Sequence, residues 1–237
     1  MKHDVPRVMH LLPHMGGGVG SVVRSLLHRE HHAVQAGFAH SIVALESLNV
    51  PSRSFLEEHH IPWIEQADRD TISRIIDTVD IVLIHWWNHP LLMQVLYDGL
   101  PPCRLALWSH VNGYHVPQSF FPALFDLPDR FVFTTSASLQ APVVQRLPKT
   151  VKQHLRVIRS CAGIPPGAER PVVKSPPFQA GYLGTVEPAK MHRDFLELCI
   201  KARLPTPCLV AGGPAHEELR ESARQKGIAQ HFDILGP

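Results

Sequence analysis

The feature that most constrains this 237-residue chain is a regular alternation of short apolar runs with stretches of helical periodicity. Arg7–Leu12, Phe38–Leu45, Pro62–Ile64, Asp80–Ile84, Arg104–Trp108, Phe131–Thr134 and Leu155–Ile158 are too short for helices and read as strands. Between them, Val19–His31 repeats apolar residues at Val22, Val23, Leu26 and Leu27, the spacing of one helix face. Ser52–His59, Asp70–Thr78, His89–Tyr97 and Ser136–Arg146 also read as helices, the last with Ser136 as its cap. Strands and helices in strict turn predict an α/β fold, a parallel sheet with helices on both faces. No period of a solenoid recurs.

The alternation breaks at Arg159–Pro177, which carries Pro165, Pro166, Gly167, Pro171, Pro176 and Pro177 and has the composition of a linker. It then restarts, with strands at Ala180–Gly184, Cys208–Ala211 and Phe232–Leu235 and helices at Asp194–Arg203 and His216–Lys226. The expected organisation is a first Rossmann-like domain over 1–158, a linker over 159–178 and a second such domain over 179–237. Three strands and two helices bury little apolar surface for an independent domain. The second domain is therefore expected to be incomplete, the chain being truncated at its C-terminal end.

Composition narrows the function classes. The chain is 44% hydrophobic and 19% charged, with a formal net charge of +2 and no long Lys/Arg block, which argues against a nucleic-acid partner. Cys103, Cys161, Cys199 and Cys208 form no C-x-x-C pair, as expected of reduced thiols in a cytoplasmic protein. The N-terminus lacks a secretory pattern, and no apolar run approaches the ~20 residues that cross a bilayer. Any membrane contact is expected to be peripheral, with Phe120, Phe121 and Phe125 either on that surface or packed in the core. Histidine is the outlier, at 17 residues, including the doublets His31-His32 and His59-His60 and the pairs His85/His89 and His110/His115. No convergent ligand set is evident, so no metal is expected.

Three loops carry candidate chemistry. Gly16-Gly17-Gly18-Val19-Gly20 joins the first strand to the first helix, where close backbone approach and free amides suit a phosphate or diphosphate. A dinucleotide-binding G-x-G-x-x-G placed on Gly16 and Gly18 finds Ser21 where the third glycine belongs, although Glu46 stands plausibly for the ribose-reading acid. Trp108–His115 leaves a strand at the end that faces ligands in open α/β sheets, and places His110, Asn112 and Tyr114 there. His110 is positioned to donate a hydrogen bond or move a proton. His85-Trp86-Trp87-Asn88-His89 leaves the neighbouring strand in the same way, its aromatics either stacking on a sugar or base or capping the core. In the second domain Gly184-Thr185-Val186-Glu187-Pro188-Ala189-Lys190 brings a glycine turn and a lysine, and Gly212-Gly213-Pro214 repeats the turn-then-helix pattern.

In order and spacing these segments resemble glycosyltransferase family 4, of the GT-B fold. Gly16–Gly20 resembles its N-terminal glycine loop, Val79–His85 its D-V-V-H-V-H strand, and Asp129–Ser136 its A-D-x-V-I-x-x-S segment. Arg156–Ile164 resembles V-I-P-N-G-V, and Ala211–Pro214 is similar to V-G-x-G-P. In the family's G-R-L-x-x-x-K-G, Lys190 matches the lysine, whereas Thr185 stands where the family has arginine. No residue matches the paired glutamates that hold the donor, which would lie beyond Pro237.

The resemblance implies two Rossmann-like parallel-sheet domains facing a cleft, the acceptor on the first and the donor on the second. It implies transfer of a hexose from a nucleoside-diphosphate sugar to an acceptor hydroxyl of a glycan, lipid or small molecule, with retention and without a cofactor or metal. His110 would lie against the transferred sugar. Gly16, Gly17, Gly18, Gly20, Gly184, Thr185 and Lys190 would serve the diphosphate, and His85, Trp86, Asn112 and Tyr114 are candidates for sugar or acceptor contacts. Two alternatives stay open: an NAD(P)-dependent oxidoreductase using Glu46, and a non-catalytic module that holds a glycan or lipid.

Overall fold

The computed structural model describes residues 5–31, 37–160, 180–187, 190–213 and 215–236. The chain divides into two compact units, Met1–Ala168 and Glu169–Pro237. The proline-rich linker and Cys161 lie outside the described residues.

The first unit is built on seven parallel strands: β1 (Arg7–Leu12), β2 (Ala39–Ala44), β3 (Trp63–Ile64), β4 (Ile81–Trp86), β5 (Leu105–Ser109), β6 (Arg130–Phe133) and β7 (Leu155–Val157). Their order in the sheet is β3-β2-β1-β4-β5-β6-β7. Five α-helical segments connect or follow the first strands and the last: α1 (Gly17–His31), α2 (Val50–Glu58), α3 (Arg69–Ile76), α4 (Pro90–Asp98) and the short α5 (Pro142–Gln145), with a sixth turn, α6 (Lys149–Lys152). Asn49 caps α2 through a bond from the Ser52 amide, and Asp68 caps α3 through one from Thr71, each meeting an amide that the helix leaves unpaired.

Strand ends are aligned by carboxylates. Asp80 accepts the Arg7 amide at 2.8 Å at the start of β1, and Asp129 accepts the Leu105 amide at 2.9 Å at the start of β5. These are the two motif aspartates of the sequence, and both hold neighbouring strands in register.

The sheet is covered on both faces, as parallel sheets are. On one face Met9, Leu11, Val43, Val82, Ile84, Trp86, Leu107 and Phe131 pack with α3, α4 and the loop residues Phe120, Leu124 and Phe125. Phe125 and Phe131 have ring centroids 4.5 Å apart, within the range where aromatic pairs add about 0.5–1.5 kcal/mol to their burial. Phe120 and Phe125 are therefore core residues, with Phe121 packed against the same cluster. Of the two readings of that patch the core one holds, since its rings pack on the sheet. On the other face Leu12, Ile42 and Ala44 meet Val23 and Leu27 of α1 and Leu56 of α2.

The expected helix over Ser136–Arg146 is also corrected. A 3-10 turn over Ser136–Gln140 ends at Ala141, which is extended (ψ 136°), and α5 restarts at Pro142. Proline lacks an amide and forces its predecessor out of the helical region, so one helix cannot run through this position.

The second unit holds a three-stranded parallel sheet, β8 (Gly181–Leu183), β9 (Cys208–Ala211) and β10 (Phe232–Leu235), in the order β10-β9-β8. Helices α7 (Phe195–Lys201) and α8 (His216–Gln225) connect them. Val186, Met191, Leu196, Val210, Ala223 and Ile234 form its core, and Cys199 and Cys208 are buried free thiols. No helix among the described residues is long and apolar enough to cross a membrane.

The first-unit glycines divide by what a side chain would meet. A Cβ at Gly20 would stand 1.8 Å from the Met15 carbonyl oxygen, whereas one at Gly18 meets nothing within 4 Å. Gly20→Ala is expected to cost about 1–3 kcal/mol, as overpacking does. Gly18→Ala is expected to be neutral or to stabilise by up to about 1 kcal/mol. Urea unfolding midpoints of the two variants measure the difference, and equal midpoints would contradict it.

Candidate functional site

Because strand order reverses direction between β1 and β4, their carboxyl ends open a crevice, the place where ligands bind in sheets of this kind. Four loops border it. Pro13–Gly16 follows β1, Leu45–Leu48 follows β2, Trp87–His89 follows β4 and His110–His115 follows β5.

The glycine turn feeds directly into α1. The Gly20 amide closes the first helical bond onto the Gly16 carbonyl at 3.2 Å, which leaves the amides of Gly17, Gly18 and Val19 without a helical acceptor. Gly17 is in the left-handed region (φ 59°), and Gly17 and Gly18 are exposed. Gly16 donates its amide to His14 Nδ1 at 3.0 Å. Gly17 and Gly18 are thus open to a ligand. Gly20 is buried on Met15 and acts in packing, a correction to its placement among phosphate-binding residues.

Beneath the turn lies a row of histidines. His10 sits in the middle of β1, His40 near the start of β2, His85 near the end of β4 and His110 just past β5. His10 Nδ1 lies 2.8 Å from His85 Nε2, His10 Nε2 lies 2.8 Å from His40 Nδ1, and His85 Nδ1 lies 2.9 Å from His110 Nε2. The strand registers explain the row. His10 is opposite Ile42 and Leu83, and His85 is opposite Trp108, so each histidine is displaced by one two-residue repeat from its neighbour on the same face. The row climbs from the amino half of β2 to the carboxyl edge of β5, passing under α1. His10 and His85 are 0% exposed.

Burial lowers the pKa of His10 to about 3, with the nearby His40 adding to the effect. It lowers His110 to about 4, and holds His85 well below its ordinary value, with His10 and His110 contributing. At neutral pH the rings are uncharged, each with one N–H and one lone pair.

His85 is enclosed and bonded to His110, so the reading of it as a direct sugar or acceptor contact is corrected. Trp86 is 0% exposed and packs against Phe120, so the reading of its indole as a stacking platform is corrected: it caps the core. Trp87 takes the accessible position instead. It meets His14 edge-on at 5.3 Å and His89 at 5.9 Å, and His89 Nε2 lies 3.5 Å from Glu46. The Glu46 carboxylate, the candidate ribose reader, stays partly exposed beside it.

The loop after β5 is held by its own polar groups. Asn112 Oδ1 accepts the Tyr114 amide at 3.1 Å, and the Tyr114 hydroxyl donates to the Ala137 carbonyl at 2.6 Å. Gly113 has φ 78°, and a Cβ there would lie 2.0 Å from the Phe120 ring. The His110 amide donates to the Trp86 carbonyl at 2.9 Å, which fixes where this ring leaves the sheet.

In the second unit, Gly184 donates its amide to Ala211 at 3.1 Å. Gly212 (φ 143°) packs so closely that a Cβ there would stand 1.8 Å from the Gly184 carbonyl oxygen. Lys190 is exposed, and its Nζ donates to Thr185 Oγ1 at 3.2 Å. The residue in the arginine position of the resemblance thus orients the lysine. Pro188, Ala189 and Pro214 lie outside the described residues. No group of three or more His, Cys, Asp or Glu among the described residues could hold a metal ion.

The sequence reading missed His10, His40 and His14, whereas Trp87 was among the aromatics it offered for stacking. A histidine inside the buried runs Arg7–Leu12 and Ala39–Ala44 is the signal that marks the first two, since an isolated imidazole there needs a partner.

No protein-family model matches the chain, and no curated protein matches its sequence. Solved structures do match its fold. The S. aureus MnaA–UDP co-structure superposes with TM-score 0.56 at 10% identity, over 98% of this chain and 69% of that one. A mutant Thermobaculum terrenum O-GlcNAc transferase does so with TM-score 0.55 at 12% identity, over 99% of this chain and 45% of that one. The chain has the GT-B type of α/β fold.

The lowered histidines make stability depend on pH. Unfolded, His10, His85 and His110 take up protons as pH falls below about 6.5, whereas folded His10 resists until about 3 and His110 until about 4, and burial holds His85 well below its ordinary value. The stabilisation is complete above pH 6.5 and is lost progressively as pH falls toward 4. The melting temperature is expected to drop over this window, and to drop less in His110→Gln. A melting temperature that is constant from pH 7 to 4 would contradict the burial of neutral histidines.

Proposed function

We propose that the protein is a glycosyltransferase that moves a hexose from a nucleoside-diphosphate sugar to an acceptor hydroxyl. The observation that carries this reading is the pairing, on a GT-B sheet, of an open glycine turn after β1 with a sheet-anchored histidine after β5. The MnaA structure that shares this fold holds UDP, a nucleoside diphosphate.

The diphosphate leaves with growing negative charge, which preorganised amides and cations stabilise. The first unit offers the Gly17 and Gly18 amides as groups of this kind; the second, taken by itself, offers the Gly184 turn and Lys190, which Thr185 orients. His110 faces the sugar and the acceptor hydroxyl, and Asn112 and Tyr114 shape the loop that carries it. Retention of configuration and independence from metal are what the family 4 resemblance implies. The anomeric proton of the product, followed by NMR in the presence of EDTA, checks both.

An oxidoreductase reading needs a G-x-G-x-x-G turn after β1, and Ser21 stands where its third glycine belongs. Titration calorimetry with UDP and with NADH separates the two. UDP is expected to bind, NADH is not, and Lys190→Ala is expected to weaken UDP roughly tenfold, the loss of about 1.5 kcal/mol for a charge-assisted contact. Binding of NADH with no response to UDP would overturn the proposal.

A further inference from the structure

We infer that His110, His85, His10 and His40 form a proton relay through the sheet, carrying a proton between the carboxyl-edge site at His110 and the opposite half of β2 at His40. The catalytic use of the relay rests on the transferase reading above; the relay itself rests on the three ring-to-ring hydrogen bonds.

Those bonds constrain one another. Each joins an Nδ1 to an Nε2. A neutral imidazole has one donor nitrogen and one acceptor nitrogen. If His110 donates from Nε2 to His85, then His85 must donate from Nε2 to His10, and His10 from Nε2 to His40. The row therefore has two states: all four rings protonated on Nε2, or all four protonated on Nδ1. A proton added to Nδ1 of His110 converts the first state into the second and expels the Nε2 proton of His40.

The surroundings set the resting state. His40 Nε2 has no hydrogen-bond partner among the described residues. The Glu30 carboxylate of α1 acts on His40 and favours positive charge there, against the burial that disfavours it. An N–H at His40 Nε2 is the favoured end, which leaves His110 with a bare Nδ1 at the site. Facing the interior rings are the other histidines and Trp108, 5.8 Å from His85 and 5.1 Å from His110. The α1 residues over this part of the sheet, Val22, Val23, Leu26 and Leu27, are apolar. No carboxylate is bonded to His10, His85 or His110 among the described residues, so the relay carries its proton through neutral rings.

In the transfer step, the acceptor oxygen bonds to the anomeric carbon and the bond from that carbon to the diphosphate breaks, its electron pair leaving with the nucleoside diphosphate. The hydroxyl proton goes to His110 Nδ1. The Nε2 proton of each ring moves to the Nδ1 of the next, and the His40 proton leaves to the Glu30 carboxylate, which acts on His40 from α1. When products depart, His110 Nδ1 gives its proton to water, His40 takes one up, and the resting state returns. His85, His10 and His40 are positioning residues: they act through His110.

The test is long-range 1H–15N NMR of the histidine rings in the full chain at pH 7, with His40→Phe and Glu30→Gln as variants. All four rings are expected to be the same tautomer, protonated on Nε2. His40→Phe removes the last acceptor, and the ring-nitrogen shifts of His110, three rings away, are expected to move. Glu30→Gln, which leaves the row's packing intact, is expected to move them in the same sense. Rings in mixed tautomers, or His110 resonances that superimpose on wild type in both variants, would overturn the relay. Kinetics then read its use. His40→Phe is expected to lower kcat roughly tenfold with KM unchanged, a part of the 10²–10⁴ that positioned proton transfer is worth. An aligned row with unchanged kcat would overturn the catalytic role. An aligned row in a protein with no transfer activity would count against the transferase reading and leave the relay standing.

Discussion

The position of β1 is the constraint on which the rest depends. It is the third of seven parallel strands, an interior one with β2 and β4 on either side, so everything that leaves its carboxyl end enters the gap where the connections part. The glycine turn occupies that gap because α1 must start there and fold back over the sheet. Gly20 makes the return close enough by resting on the Met15 carbonyl. The same centrality accounts for His10, which is wholly enclosed and can be tolerated only because both ring nitrogens are bonded.

Much of this was legible in the sequence. The short apolar runs marked the strands, and β9 and β10 occupy the residues that the pattern assigns to them. Where the reading failed, a local rule outweighed the periodicity. Ser136–Arg146 has helical spacing, but Pro142 divides it. Trp86 ends a strand whose alternate residues, Val82 and Ile84, face the core, and its own parity puts it there as well. Trp87, of opposite parity, is the one that reaches the site. The row of histidines was not legible, because it depends on register: four rings far apart in sequence meet only when β2, β1, β4 and β5 are paired with their observed offsets.

The motif residues also separate by task once neighbours are known. Asp80 and Asp129, which carry part of the family resemblance, hold strand amides. Gly20 and Gly212 are packing glycines, each with a carbonyl oxygen where a side chain would be. Gly17, Gly18 and Lys190 remain exposed. A resemblance spread over many short motifs thus reports mainly on the sheet, and only a few of its residues bear on ligand binding.

Hydrogen–deuterium exchange with and without UDP tests the account most directly, because it locates the ligand without assuming a reaction. Protection is expected at the turn that begins α1 and in the segments following β8 and β9, with the amino-terminal ends of the strands unchanged. Protection confined to β2 and β3, or no protection at saturating UDP, would contradict the assignment of the glycine turns and Lys190 to a nucleoside diphosphate.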